Sequence, residues 1–424
     1  MLLLSKNTIL QKTLKKHLPA LARSEALDTD LIEKAVMQGS MVLLANPAHE
    51  NVVPTLIGQP ARVKVNANIG TSPFMNDQAQ EMKKLKLAWA SGAHTVMDLS
   101  TAGDLNAIRK AMLAECPLPL GTVPIYSTAQ KYISQKKDPA GFSEEEFFEE
   151  IARQAEQGVD FMTVHCGVTA RAAALVKESG RVMGVVSRGG SILVRWMARN
   201  NKENPLLTHF DQLLEIAIKH NVTLSLGDGM RPGAGADAGD AAQWEEVVVL
   251  GELTKRAWER GVQAMIEGPG HVPLNLVQGQ IQGIKRLCRG APLYVLGPLT
   301  TDSAPGFDHI SGAIGGAMAA YFGADFLCYL TPAEHLTLPD GEDVRLGVIA
   351  SLIAAQSAEV ALGRPGAVAR DLDISTARAR LDWEKMAELA LDPPTVRHRR
   401  FGFDDKEECA MCGEFCALKM LKDF

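Results

Sequence analysis

RVKVNAN, residues 62 to 68, alternates apolar and polar side chains and ends in an amide, Asn68. A period of two over so short a run predicts a half-buried strand. Downstream the same kind of run returns as HTVMDLS (94–100), LGTVPIY (120–126), DFMTVHC (160–166), VMGVVS (182–187), VTLSLGD (222–228), VQAMIEG (262–268), PLYVLG (292–297) and ADFLCYL (324–330). Amphipathic helical runs separate them, and strands alternating with helices predict a parallel sheet covered by helices. Eight such units close a TIM-like (βα)8 barrel, so one of these candidates is surplus or an extra edge.

The polar residues favour a barrel over an open doubly wound sheet. Asn68, Asp98, Tyr126, His165, Ser187, Asp228, Glu267 and Tyr294 each stand at or near the end of a candidate strand. A barrel gathers the carboxyl ends of its strands on one mouth, whereas an open sheet spreads them along an edge. The α/β organisation expected is an N-terminal cap (1–60), a catalytic barrel (61–340), a helical extension (341–390), and a tether with a cysteine-bearing helical arm (391–424). Within the extension, EDVRLGVIASLIAAQSAEVALG (342–363) is Ala-rich and suits close packing against another helix. The acid-free opening MLLLSKNTILQKTLKKHLPALA carries Leu and Ile at helical spacing, which predicts an amphipathic surface helix rather than a targeting segment.

Composition narrows the function. With 44 basic and 50 acidic residues and no long block of one sign, the chain lacks the charge footprint of a nucleic-acid or anionic-membrane partner. No run approaches the roughly 18 consecutive apolar residues of a spanning helix, and a cytoplasmic location is expected. Cys116, Cys166, Cys288 and Cys328 are scattered, and with three more clustered near the end they form no disulfide framework; they are expected to be reduced, with Cys166 at a strand end the exception of interest.

Several motifs bear chemistry. SRGGS (187–191) and DGMRPGAGADAGD (228–240) put Arg188 and Arg231 on Gly-containing loops, which suits an anionic ligand. EGPGHVP (267–273) and TPAEHL (331–336) carry His271 and His335, a possible pair for one divalent metal, with His309 as rival. In CAMCGEFC (409–416) the cysteines recur at i, i+3 and i+7, which places them on one face if the segment is helical. Spacing leaves three readings open: a structural zinc completed by His398 or Asp405, an iron–sulfur cluster with one open iron, or plain surface thiols. A zinc-dependent barrel hydrolase therefore stands as an alternative function.

Read in order, VKVNANIG, TVMDLST, GTVPIY, SRGGS, LGDGMRPG, EGPGHVPLN, YVLGPLTTD, CYLTPAEHL and CAMCGEFC resemble the phosphomethylpyrimidine synthase family of radical S-adenosylmethionine enzymes, which has 5-hydroxybenzimidazole synthases as a branch. The resemblance runs from about residue 46 to the end. It implies 5-aminoimidazole ribotide as substrate and S-adenosylmethionine as radical source. It also implies a [4Fe–4S] cluster on Cys409, Cys412 and Cys416, a divalent metal (zinc or iron) on His271 and His335, and a one-electron reductant such as ferredoxin or flavodoxin. A homodimer is implied too. The ribotide contacts it implies are Asn68, Met97, Tyr126, His165, Ser187, Arg188, Gly189, Asp228, Gly229, Met230, Arg231, Glu267 and Tyr294. The tail is one residue shorter than the C-x2-C-x4-C of long bacterial pyrimidine synthases, and TDSAPGFDHI (301–310) replaces their usual TDIAPGYDHI. Ser303 and Phe307, taken as neighbours of the substrate, favour the benzimidazole product, with the pyrimidine as the alternative.

Overall fold

The protein is described by a computed structural model covering residues 3–403, 405–409 and 411–420. It divides into two compact units, Met1–Ala355 and Gln356–Phe424.

In the first unit, β1 (Val42–Leu44) and β2 (Thr55–Ile57) form an antiparallel pair. The remaining strands are β3 (Lys64–Ile69), β4 (Thr95–Asp98), β5 (Leu120–Thr122), β6 (Phe161–Val164), β7 (Thr223–Leu226), β8 (Ala264–Glu267), β9 (Leu293–Leu296) and β10 (Phe326–Cys328). These eight parallel strands close a barrel in chain order, with β10 pairing back onto β3. The surplus candidate is VMGVVS. Its place is taken because β6 pairs directly with β7, Phe161 opposite Thr223. Instead of a neighbouring strand, the Asp237 carboxylate accepts the Val182 and Met183 amides, and Gly184 turns the chain at φ +62°. Ser187 is therefore a helix N-cap, not a strand end.

Inside the barrel, Phe161 and Phe326 meet edge to face, and Tyr294 stacks on Phe326 at 4.2 Å between ring centres. Gly121 makes room for this plug, since a Cβ there would fall 2.3 Å from the Phe161 ring. Between strands and helices lies an apolar layer that includes Val65, Val96, Ile108, Met112, Val344 and Val348. Helix Gly341–Ala361 is long and apolar enough to cross a membrane, but Val344 and Val348 belong to that layer, as in a core helix. The opening helix Thr8–Glu25 is amphipathic as expected, burying Leu10, Leu14, Leu18 and Leu21.

The N-terminal segment is fastened to the residues that precede or begin the strands. Gln263, ahead of β8, accepts the Leu43 amide at 2.7 Å and donates to its carbonyl at 3.0 Å. Asp325, ahead of β10, accepts from Gln59 N–H and Leu293 N–H, each at 2.7 Å. Asp160, ahead of β6, accepts from Asn46 N–H, Leu120 N–H and the His49 ring, each at 2.7 Å. The amino end of the barrel is thereby covered.

In the second unit, helices Pro365–Ala379 and Trp383–Leu389 are followed by Pro393–Arg400. The last lies in the stretch expected to be a tether. Its two prolines fill the first turn, where a missing N–H costs nothing, and Asp392 caps the Thr395 amide. The cysteines do not share a helical face. Cys409 lies outside any helix, a 3-10 turn spans Gly413–Phe415, and Gly413 takes φ +51°, which breaks the helical register before Cys416.

Asp160 is a buried acceptor for three donors. We expect Asp160→Asn, which turns an amide donor onto one of them, to lower unfolding stability by about 3 kcal/mol or more. Urea unfolding followed by circular dichroism measures this, and a loss below about 1 kcal/mol contradicts it.

Candidate active site

The carboxyl ends of the strands surround a cavity lined by Asn68, Met97, Tyr126, His165, Asp228, Arg231, Glu267 and Tyr294, together with Thr163 and Cys328. Thus most strand-end residues named from the sequence do converge. Asp98 does not line the cavity; its neighbours Met97 and Leu99 do, and Asp98 accepts the Ser100 amide. The period of two in β4 sends alternate side chains to opposite faces. A second cavity shares Asn68 and Leu99 with the first and adds Arg188, Tyr329, Glu334 and His335.

Ser187, Gly189, Gly229 and Met230 lie behind the lining. Ser187 Oγ accepts the Gly190 amide and stands 3.1 Å from His165 Nε2. A Cβ on Gly189 would fall 2.2 Å from the His165 ring, and one on Gly190 would fall 2.6 Å from Gly229 O. The glycines of SRGGS are thus required by close packing beneath the site. Arg188 lays its guanidinium over the Tyr126 ring at 4.7 Å. Met230 donates its amide to Glu246 Oε2 at 2.8 Å, which braces the loop carrying Asp228 and Arg231.

The electrostatics follow from burial. His165 falls to about 3, through burial first and the Arg231 charge second, so its ring is neutral at neutral pH. Asp228 rises to about 7; burial drives it up, Arg231 opposes, and Glu267 adds a like charge. Its Oδ1 pairs with Arg231 at 3.0 Å, while its buried Oδ2 has no partner and is a ready acceptor for a ligand. Glu267 is also raised by burial, against the Thr163 and Ser225 hydroxyls that donate to its Oε1 at 2.6 and 2.8 Å.

His271 and His335 meet, their ring centres 5.1 Å apart. His271 Nδ1 bonds to Asp302 Oδ1 at 2.7 Å, and His335 Nδ1 bonds to Asp308 Oδ1 at 3.1 Å. Each carboxylate occupies one ring nitrogen, which orients the ring and leaves Nε2 as the free ligand atom, the arrangement common to metal-binding histidines. His309 is not part of this pair; its ring lies beside Phe307, and its buried Nδ1 has no partner.

Two expectations need correction. Neither Ser303 nor Phe307 lines either cavity: Phe307 is 61% exposed, and Ser303 Oγ bonds to Thr301 Oγ1 on the surface. Cys166 is buried away from the cavity, and Cys328 is the scattered cysteine that reaches it, accepting from Asn68 Nδ2 at 2.9 Å. Among the described residues, no three His, Cys, Asp or Glu side chains are drawn together as a ready chelate.

The donor set on the tail nonetheless suits a cluster. Cys409 and Cys412 share a hydrogen bond, and the Met411 and Cys412 amides hold the Cys409 thiol below its usual range. Burial, Cys409 and Cys416 act upward on Cys412, as neighbouring thiols do. Asp405, offered as a fourth zinc ligand, pairs with Lys406 instead. Three soft sulfur donors on one loop match a cluster with one open iron better than a closed four-ligand zinc site.

Asn66, Thr163, Ser225, Glu246, Asp302 and Asp308 were not singled out by sequence. Thr163 stands two residues before His165 and Asn66 two before Asn68, so counting back along each strand finds these inward neighbours. No sequence signal reaches Glu246, which acts from the helix Ala241–Glu259.

Comparison with known proteins gives the family of the chain. The chain matches the radical SAM ThiC family over residues 6–423. It is 49% identical over 411 residues to a phosphomethylpyrimidine synthase of Thermoanaerobacter sp. (strain X514), covering 96% of this chain and 95% of that one. It is 51% identical over 405 residues to the protein of that name from Geobacter metallireducens, covering 95% and 93%. With that of Methanocaldococcus jannaschii the identity is 49% over 421 residues, covering 99% and 98%. A barrel whose strand ends converge on one mouth, followed by a three-cysteine tail and similar to these relatives over nearly its whole length, belongs to the radical SAM ThiC family.

Proposed function

We propose that this chain is a phosphomethylpyrimidine synthase, which rearranges 5-aminoimidazole ribotide into the pyrimidine of thiamin with S-adenosylmethionine as co-substrate. The observation that carries the reading is the near-complete similarity to proteins of that name. The preference for 5-hydroxybenzimidazole rested on Ser303 and Phe307 touching the substrate; with both outside the cavities, that argument falls away.

In this reading the cavity residues, with Ser187, Arg188, Gly189, Gly229 and Met230 around them, hold the ribotide. Arg231 and Arg188 answer its phosphate. Asp228 Oδ2 takes a ligand hydroxyl, and neutral His165 offers a hydrogen bond without adding charge. Glu267, fixed by Thr163 and Ser225, is the group that moves a proton. His271 and His335 are the residues that would hold a divalent metal, zinc or iron, which would supply an anchor for the adenosylmethionine. When bound at Cys409, Cys412 and Cys416, a [4Fe–4S] cluster supplies one electron, received from a ferredoxin or flavodoxin, for reductive cleavage of that co-substrate. A homodimer and a cytoplasmic location complete the proposal.

Anaerobic incubation with labelled ribotide, adenosylmethionine and a reductant is expected to give phosphomethylpyrimidine, formate and carbon monoxide, detected by mass and gas analysis. Appearance of 5-hydroxybenzimidazole without carbon monoxide overturns the assignment. A colourless anaerobic preparation without iron points instead to the zinc hydrolase.

For the metal, His335→Ala in the cluster-free chain is expected to weaken zinc binding by at least about tenfold. Titration calorimetry reads this, and unchanged stoichiometry and affinity reject the pair.

Asp228 gives a pH prediction. Its carboxyl is neutral below about 7 and charged above. Between pH 8 and 6, as Oδ2 takes up a proton and stops acting as a carboxylate acceptor, the wild-type chain should therefore lose affinity for ribose 5-phosphate relative to Asp228→Asn, by up to roughly tenfold. The ligand's own titration is common to both chains, so parallel pH profiles would contradict the assignment.

A further inference from the structure

The tail before the first cysteine, FDDKEE after the Gly402 turn, carries few apolar groups to fix it. The backbone of its described residues is held all the same. Arg400, the last residue of helix Pro393–Arg400, donates from Nη2 to Phe403 O at 2.6 Å and to Lys406 O at 2.8 Å, and from Nη1 to Glu408 O at 3.3 Å. Its guanidinium lies 4.3 Å from the centre of the Trp383 ring. Trp383 opens the helix Trp383–Leu389 and donates from Nε1 to Glu407 O at 2.8 Å. From the other side, Lys419 Nζ reaches Glu408 Oε2 at 3.2 Å. Four carbonyls in the six residues before Cys409 are thus collected by one stacked pair of side chains.

The chemistry suits these two residue types. A guanidinium is a planar fork with five donors, so it can serve several carbonyls while its face rests on an indole; an ammonium is a single point. The indole N–H supplies the donor for the remaining carbonyl. Nothing in the recognition of the ribotide or of a metal at His271 and His335 uses either residue.

We propose that Trp383 and Arg400 form a clasp that sets the loop delivering Cys409, so that the backbone leading to the first thiol is ordered before iron arrives. They are positioning residues, acting through the loop backbone and not by ligation. Ordering the loop beforehand removes part of the entropy cost of gathering three cysteines on one cluster. The inference rests on the cluster reading of Cys409, Cys412 and Cys416.

The test uses the full-length chain, loaded anaerobically with ferrous iron and sulfide and then challenged with a ferrous chelator. Arg400→Ala is expected to lose iron about tenfold faster than wild type. Trp383→Phe keeps a stacking ring but loses the bond to Glu407 O, and should lose iron roughly fivefold faster. Arg400→Lys keeps the charge without the fork and should resemble Arg400→Ala; wild-type behaviour from it would overturn the role of the fork. A second readout needs no cluster: in the iron-free chain, trypsin cleavage after Lys406, identified by mass, should accelerate in Arg400→Ala. Glu384→Gln, which breaks the exposed pair with Arg397, should leave both readouts unchanged. An Arg400→Ala chain that matches wild type in either readout overturns the clasp. If the wild-type chain itself takes up no iron, the cluster reading fails, and the trypsin comparison alone decides the clasp.

Discussion

The pairing of β10 with β3 is the contact on which the site depends. Phe326, Leu327 and Cys328 lie opposite Lys64, Val65 and Asn66, and this register closes the barrel. Closure brings Cys328 to Asn68 and lets the Tyr329 hydroxyl donate to Asn68 O at 2.5 Å. Asn66 then reaches across to the Tyr294 hydroxyl at 2.8 Å. A slip of one residue would turn every side chain of a strand to the other face and remove Asn66 and Asn68 from the interior together.

Closure also concentrates charge in a place with little water. Asp228, Glu246 and Glu267 are all raised by burial around Arg231. Buried Oδ2 of Asp228 and Oε1 of Glu246 lack partners, a cost that a folded chain tolerates chiefly where function requires it. The two differ in consequence: Asp228 faces the cavity, whereas Glu246 sits behind the loop and holds the Met230 amide with its other oxygen. One is available to a ligand, and the other keeps the loop in place.

What the sequence makes legible follows from periodicity. Eight strands, and the residues at their ends, can be read because a barrel strand repeats every two residues and stops at the mouth. VMGVVS deceives because its valines satisfy the same pattern, and only the capture of its amides by Asp237, more than fifty residues on, distinguishes it. The bond between Thr163 and Glu267 spans 104 residues, and that between His271 and Asp302 spans 31, so local patterning cannot reveal either. In the tail, the i, i+3, i+7 spacing fits a helix, yet Gly413 at positive φ rules that helix out. The prolines at 393 and 394 look like a break and are in fact a helix start.

The covered amino end of the barrel bears on how the chain is made. Leu43 pairs with Gln263 across 220 residues, and Gln59 with Asp325 across 266. Synthesis proceeds from the N-terminus, so this segment emerges well before the residues with which it pairs. Until β8 and β10 exist, the apolar face of Leu10, Leu14, Leu18 and Leu21 has only the segment's own helices and hairpin to cover it. Contacts of such sequence separation slow folding and lengthen the interval in which a nascent chain is open to aggregation. A structure that seals its floor with a segment preceding the barrel thereby makes completion of the barrel a condition for burying residues translated long before it.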